Sequence, residues 1–234
     1  MKKKTKVLNF LFIFTASLLV NNCGAAPIKD AESASHTADA SEYQVVDTYE
    51  FSGYKLIQIN LPVLSHYSYF LVSEDKVLIV DPGRDIDFYT KIIQQQNLSV
   101  SGIFLTHSHA DFVAGHTELV KLYNCPIYQS DKSGAKYNIS PIEDSSVLKI
   151  GNAVVKFIDT PGHVLDGTSA VVGPDKDSPE LIFTGDFLFV GGVGRPDLVE
   201  GTTSSALAGM LYDTWIEKIS KLPDTVKILS LIHI

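Results

Sequence analysis

The 234-residue sequence predicts an α+β domain with αββα layering, two sheets packed face to face with helices on the outside. Three observations predict it. Strand-sized apolar runs rich in β-branched and aromatic residues first arrive in succession and then alternate with helical segments. A hydrophobic content of 45% with 20% charged residues suits a chain of this length with one well-buried core. Three of the apolar runs lead into histidine or aspartate, which an apolar interior would not tolerate, so these residues are placed in loops at strand ends.

In chain order, residues 1–23 read as an export signal. Lys2, Lys3, Lys4 and Lys6 precede an apolar stretch over 7–20, shorter than the roughly 20 residues a membrane span needs. Cys23 follows and resembles the acylated cysteine of a bacterial lipoprotein, although Asn21 and Asn22 stand where small residues are usual. The expected location is the extracytoplasmic side of a bacterial envelope, tethered by lipid on Cys23. Plain cleavage near Ala25 or Ala26, giving a soluble exported protein, is the alternative. Residues 24–44 are rich in Ala, Ser, Asp and Glu without apolar periodicity and read as a flexible tether, His36 within it being solvated. The net charge of −8 offers no footprint for nucleic acid. Cys125 remains as a lone thiol in the exported domain, so no internal disulfide is expected, and a buried structural role suits it.

The domain is expected over 45–228. Strands are predicted at 55–60, 67–72, 76–80, 102–105, 153–158, 168–172, 180–183 and 226–229. Cys125 stands at the entry to a further short apolar strand. Asp85 can cap a helix reaching Gln96, and Gly115 to Tyr123 forms a second. Thr203 or Ser204 can cap a third reaching Lys221, with Leu207, Met210, Leu211, Trp215, Ile219 and Leu222 as its apolar stripe.

The chemistry gathers at strand ends. One run leads into His107-Ser-His109-Ala-Asp111, another into Pro161-Gly162-His163, a third into Gly185-Asp186. Loops at strand ends let a rigid frame present ligands in fixed geometry, and glycine permits the sharp turn out of the sheet. Imidazole and carboxylate together suit zinc or ferrous iron. A single loop histidine ordinarily does no more than face water; His-x-His-x-Asp after an apolar run, with two further polar strand ends, is far less often accidental.

On these residues the sequence resembles the metallo-β-lactamase superfamily, and within it the persulfide dioxygenases of the ethylmalonic-encephalopathy-protein type. The matching text is Val80-Asp81-Pro82-Gly83-Arg84-Asp85, Thr106 to His116, Thr160-Pro161-Gly162-His163, Thr184-Gly185-Asp186-Phe187-Leu188-Phe189 and Gly194-Arg195-Pro196-Asp197-Leu198. Dinuclear members, such as glyoxalase II, carry a histidine after the motif aspartate; here that position is Phe112. The resemblance therefore implies one Fe(2+) per chain, with Zn(2+) as alternative, bound by His107, His163 and Asp186 and leaving positions open for dioxygen and a substrate sulfur. It implies that His109 and Asp111 orient those ligands, and that His116 is structural. Arg195 would hold a substrate carboxylate, or else form a loop ion pair with Asp197. His66, just ahead of a strand, could face the site, but a surface or packed role suits it better.

The implied activity is oxidation of a glutathione-type persulfide to sulfite. A thioester hydrolase of the glyoxalase II type and a truncated, non-catalytic metal-binding module are the rivals. Export sits uneasily with glutathione and ferrous iron, which belong mainly to reducing interiors. Residues 229–234 match what the transposon end of tagmentation libraries encodes in one frame. The natural chain is therefore expected to continue differently after Ile228, a C-terminal truncation that removes His233 from the candidate ligands.

Overall fold

The computed structural model describes residues 43–232. Cys23 with the whole export segment, tether residues 24–42 and His233 lie outside the described residues. Tyr43, inside the expected tether, is buried against Phe88 and Tyr89. The strands and helices follow as β1 (Gln44–Phe51), β2 (Tyr54–Leu61), β3 (His66–Ser73), β4 (Lys76–Val80), α1 (Asp87–Gln95), β5 (Ser99–Phe104), α2 (His116–Tyr123), β6 (Ile127–Ser130) and β7 (Ser140–Ile142). Next come β8 (Val147–Ile150), β9 (Ala153–Asp159), β10 (Thr168–Gly173), β11 (Leu181–Gly185), the short hairpin strands β12 (Leu188–Phe189) and β13 (Gly192–Val193), α3 (Ser204–Glu217) and β14 (Lys227–Ser230).

One sheet runs β1-β2-β3-β4-β5-β6-β7, antiparallel as far as β4 and parallel beyond it. The other runs β14-β11-β10-β9-β8 and is parallel only between β11 and β14. Period-two alternation sorts each strand's side chains onto two faces. Leu56, Leu71, Leu78 and Phe104 of the first sheet meet Val155, Phe157, Val172 and Phe183 of the second, making the inter-sheet core. The intervening Ile57, Phe70, Val77 and Ile79 turn outward onto Tyr89, Ile92 and Ile93 of α1 and Leu119 of α2. Ile158, Val171 and Ile182 do the same beneath Leu211 of α3. The predicted αββα layering is the observed one, with each fully buried side chain of this size contributing about 1.5–3 kcal/mol.

The helices differ from expectation in detail. Asp85 accepts from the Asp87 N–H at 3.1 Å, while Ile86 holds the cap position itself. Thr203 caps α3 by accepting from the Ala206 N–H, but the α-helix stops at Glu217 and a 3₁₀ turn carries the chain to Lys221. Leu207, Leu211 and Thr214, spaced four and three apart, form its buried stripe, and Ile219 follows. Met210 and Trp215 lie off that line and are exposed, correcting their assignment to the core. Residues 227–230 add β14 beside β11, with Leu229 and Leu231 buried and Ile232 bridged to His66. Cys125 is a free, buried thiol, as its sequence context implied.

Candidate metal centre

Four loops leave the sheets at the C-terminal ends of β4, β5, β9 and β11, and they carry Asp81, His107 to Asp111, His163 and Asp186. Gly185 enters its turn at φ +51°, against Thr106, and Gly162 enters at φ +144°, against Leu211, conformations that only glycine adopts without strain. Each glycine delivers the ligand that follows it.

Among the described residues, His107, His163 and Asp186 form a cluster whose ligand atoms all lie within 4.8 Å of one another. Asp186 Oδ2 stands 3.9 Å from His107 Nε2 and 3.7 Å from His163 Nε2. Hydrogen bonds fix which imidazole nitrogen is free. Thr106 Oγ1 donates to Asp81 Oδ2 at 2.8 Å, so its lone pair accepts from His107 Nδ1–H at 3.0 Å. His163 Nδ1–H donates to the Arg195 carbonyl at 3.1 Å. Both Nε2 lone pairs therefore point at Asp186, the tautomer a metal requires. Asp186 Oδ1 is buried without a hydrogen-bond partner, an acceptor that a cation would satisfy. The donor set, two imidazoles and one carboxylate, fits a divalent metal.

Electrostatics agree. Burial, reinforced by Asp111 and Asp81, pushes the Asp186 carboxyl up to about 7. Burial lowers His107 well below its ordinary value and lowers His163, so both stay neutral and able to ligate. Asp186 is thus the proton that a metal must displace. Its raised folded-state value favours the metal-free fold at low pH, an advantage lost as pH rises from 3.8 through about 7. Metal affinity runs the opposite way: it is expected to fall about tenfold per pH unit below neutrality. Competition with a chelator between pH 5 and 8 measures this, and a flat profile would contradict it.

The other sequence-predicted residues take distinct places. His109 is not part of the cluster; its Nε2–H donates to Asp81 Oδ1 at 3.0 Å and its Nδ1 is buried unpartnered. Asp111 is exposed and acts on Asp186 and His163 through its charge. The Arg195 guanidinium, expected either to clamp a carboxylate or to pair locally, gives Nε and Nη2 to Asp197 at 2.5 and 2.7 Å, and its carbonyl serves His163. His116 opens α2 with its ring against Tyr137. His66 is buried beside Phe112, and burial pushes its imidazole down to about 4.

Three functional residues carried no assigned role in the sequence. Asp81 is 2% exposed, sits at φ 46°, and accepts from the Thr106 N–H, the Thr106 hydroxyl and His109. Burial alone would raise its carboxyl, but His109, His107 and Thr106 together hold it below the usual range. Thr106 relays that carboxylate to His107. Asp166 accepts from the Ser108 N–H and hydroxyl at 2.9 and 2.7 Å, locking the His107 loop to the His163 loop. The signal for Asp81 was present: it ends an apolar run in the same way as the ligands do.

The model of the metallo-beta-lactamase superfamily matches residues 61–229. A probable metallo-hydrolase of Bacillus subtilis, YqgX, is 31% identical over 183 residues, covering 70% of this chain and 82% of that protein. A hydroxyacylglutathione hydrolase of Idiomarina loihiensis is 31% identical over 155 residues, covering 66% of this chain and 55% of its own length, so this chain spans little more than half of that relative. Among solved structures, ETHE1 from Myxococcus xanthus superposes with a TM-score of 0.68 at 25% identity, each chain covered to 76%.

Proposed function

We propose that this chain, which belongs to the metallo-β-lactamase superfamily and has that superfamily's metal-dependent enzyme fold, is a mononuclear iron sulfur dioxygenase oxidising a persulfide to sulfite. The observation that carries the reading is Phe112. Its ring lies 4.3 Å from His66 and 4.4 Å from His109 and offers no donor where a dinuclear site needs a histidine. The two-histidine, one-carboxylate donor set that remains suits ferrous iron with open positions. Bound there, iron would supply the redox and Lewis-acid chemistry that joining dioxygen to sulfur requires. The protein's own residues do the positioning. Asp81 acting through Thr106, and the Arg195 carbonyl, hold the imidazoles in the ligating tautomer. Phe112 packs its ring between the His66 and His109 imidazoles.

A second reading, a metal-dependent thioester hydrolase, is favoured by the likeness to hydroxyacylglutathione hydrolases. Oxygen uptake and sulfite release by iron-loaded protein on phenylmethyl persulfide and on glutathione persulfide, run beside lactoylglutathione hydrolysis by zinc-loaded protein, separate the two. Oxygen-consuming turnover is expected; hydrolysis without oxygen uptake would overturn the dioxygenase assignment.

A further inference from the structure

We propose that the sulfur compound this site accepts carries an apolar, uncharged organic group, held by a hydrophobic rim, rather than a charged glutathione-like peptide. The inference rests on the dioxygenase reading only for the identity of the sulfur group. The three ligand-bearing loops also present five large apolar side chains to solvent: Val113 at 66% exposure, Leu165 at 39%, Val190 at 59%, Val193 at 50% and Leu198 at 43%. Val113 lies two residues beyond Asp111, and Leu165 two beyond His163. Val190 and Val193 belong to the β12–β13 hairpin, which rides directly on the ligands: a Cβ added at Gly194 would stand 2.8 Å from His163 Cγ and 2.0 Å from the Asp186 carbonyl oxygen. Scattered exposed apolar residues need no explanation, but a grouping on the loops around one polar centre marks a binding surface.

Charge points the same way. Residues 106–115, 160–167 and 186–203 contain one cation, Arg195, and Asp197 occupies both arms of its fork. The other exposed charges on these loops, Asp111, Asp197 and Glu200, are acidic. On these three loops a glutathione carboxylate would have to break the Arg195–Asp197 pair and sit near the acidic Asp111. An alkyl or aryl group meets neither penalty and gains contact with the rim.

Thiol binding tests this apart from turnover. The whole chain loaded with cobalt(II), whose absorption reports thiolate ligation, is titrated with phenylmethanethiol and with reduced glutathione. Phenylmethanethiol is expected to bind at least about tenfold tighter. Val113→Asp and Val193→Asp should each erode that advantage. Asp197→Ala, which frees Arg195, should strengthen glutathione binding and leave the aromatic thiol unchanged. Glutathione binding as tightly as phenylmethanethiol, or an advantage untouched by both valine variants, overturns the proposal. So does tight glutathione binding that disappears in Arg84→Ala, which would locate a carboxylate clamp on the loop after β4. If the aromatic thiol wins but no persulfide drives oxygen uptake, the dioxygenase reading fails and the apolar rim stands.

Discussion

Replacing His163 by alanine is expected to abolish metal retention, while Asp111→Ala keeps part of the metal and loses activity. The difference follows from position. His163 Nε2 is one of three donors that lie close together, and among the described residues no other imidazole joins the cluster. Two donors on a divalent ion compete poorly with water and chelator. Asp111 is exposed, outside the cluster, and felt there through charge. Loss of such a supporting group costs about 10–100-fold in metal affinity. Metal content after gel filtration in dilute chelator distinguishes the two variants. Equal metal loss in both would make Asp111 a direct ligand.

The second large effect is expected at Asp81, where two substitutions separate stability from ligation. Asp81→Ala strands the buried N–H and hydroxyl of Thr106 and the N–H of His109. Breaking such a buried network is expected to cost about 3–5 kcal/mol, read by urea denaturation of the metal-free protein. Asp81→Asn keeps the volume but places an amide donor opposite the Thr106 hydroxyl. That hydroxyl must then accept from the amide and turn its own proton toward His107 Nδ1, forcing the proton onto Nε2 and blocking ligation. The asparagine variant should therefore fold with near-normal stability yet bind metal about 10–100-fold more weakly. Wild-type metal affinity in Asp81→Asn would show that Thr106 does not set the tautomer. Because the folded Asp81 carboxyl lies below its ordinary value, its contribution is present above that value and is lost in acid.

Much of this was legible in the sequence because ligands at strand ends break a hydrophobic pattern, and patterns are what a sequence displays. His107, His163 and Asp186 each follow a buried run, and the glycines before the last two announce the turns that deliver them. The layering was legible for the same reason. Less legible was β1, whose exposed, mixed residues Gln44–Phe51 take their strand conformation from pairing with β2 rather than from a buried face. Met210 and Trp215 looked like core by composition, but the helical period carries them away from Leu207 and Leu211. Asp81 followed the ligands' own pattern, yet its role depends on Thr106 and His109, 25 and 28 residues away, a relation that only the parallel pairing of β4 with β5 creates. The Arg195–Asp197 pair was readable as a possibility, and the fold fixes it by committing both arms of the arginine to its neighbour.

The claim on which the rest depends is that one metal, held by His107, His163 and Asp186, occupies this centre. Metal stoichiometry by mass spectrometry, after anaerobic loading with excess ferrous iron and removal of unbound metal, tests it directly. The expected result is one equivalent per chain, reduced to none in His163→Ala. Two tightly held equivalents per chain would contradict it, showing that Phe112 does not close the second site.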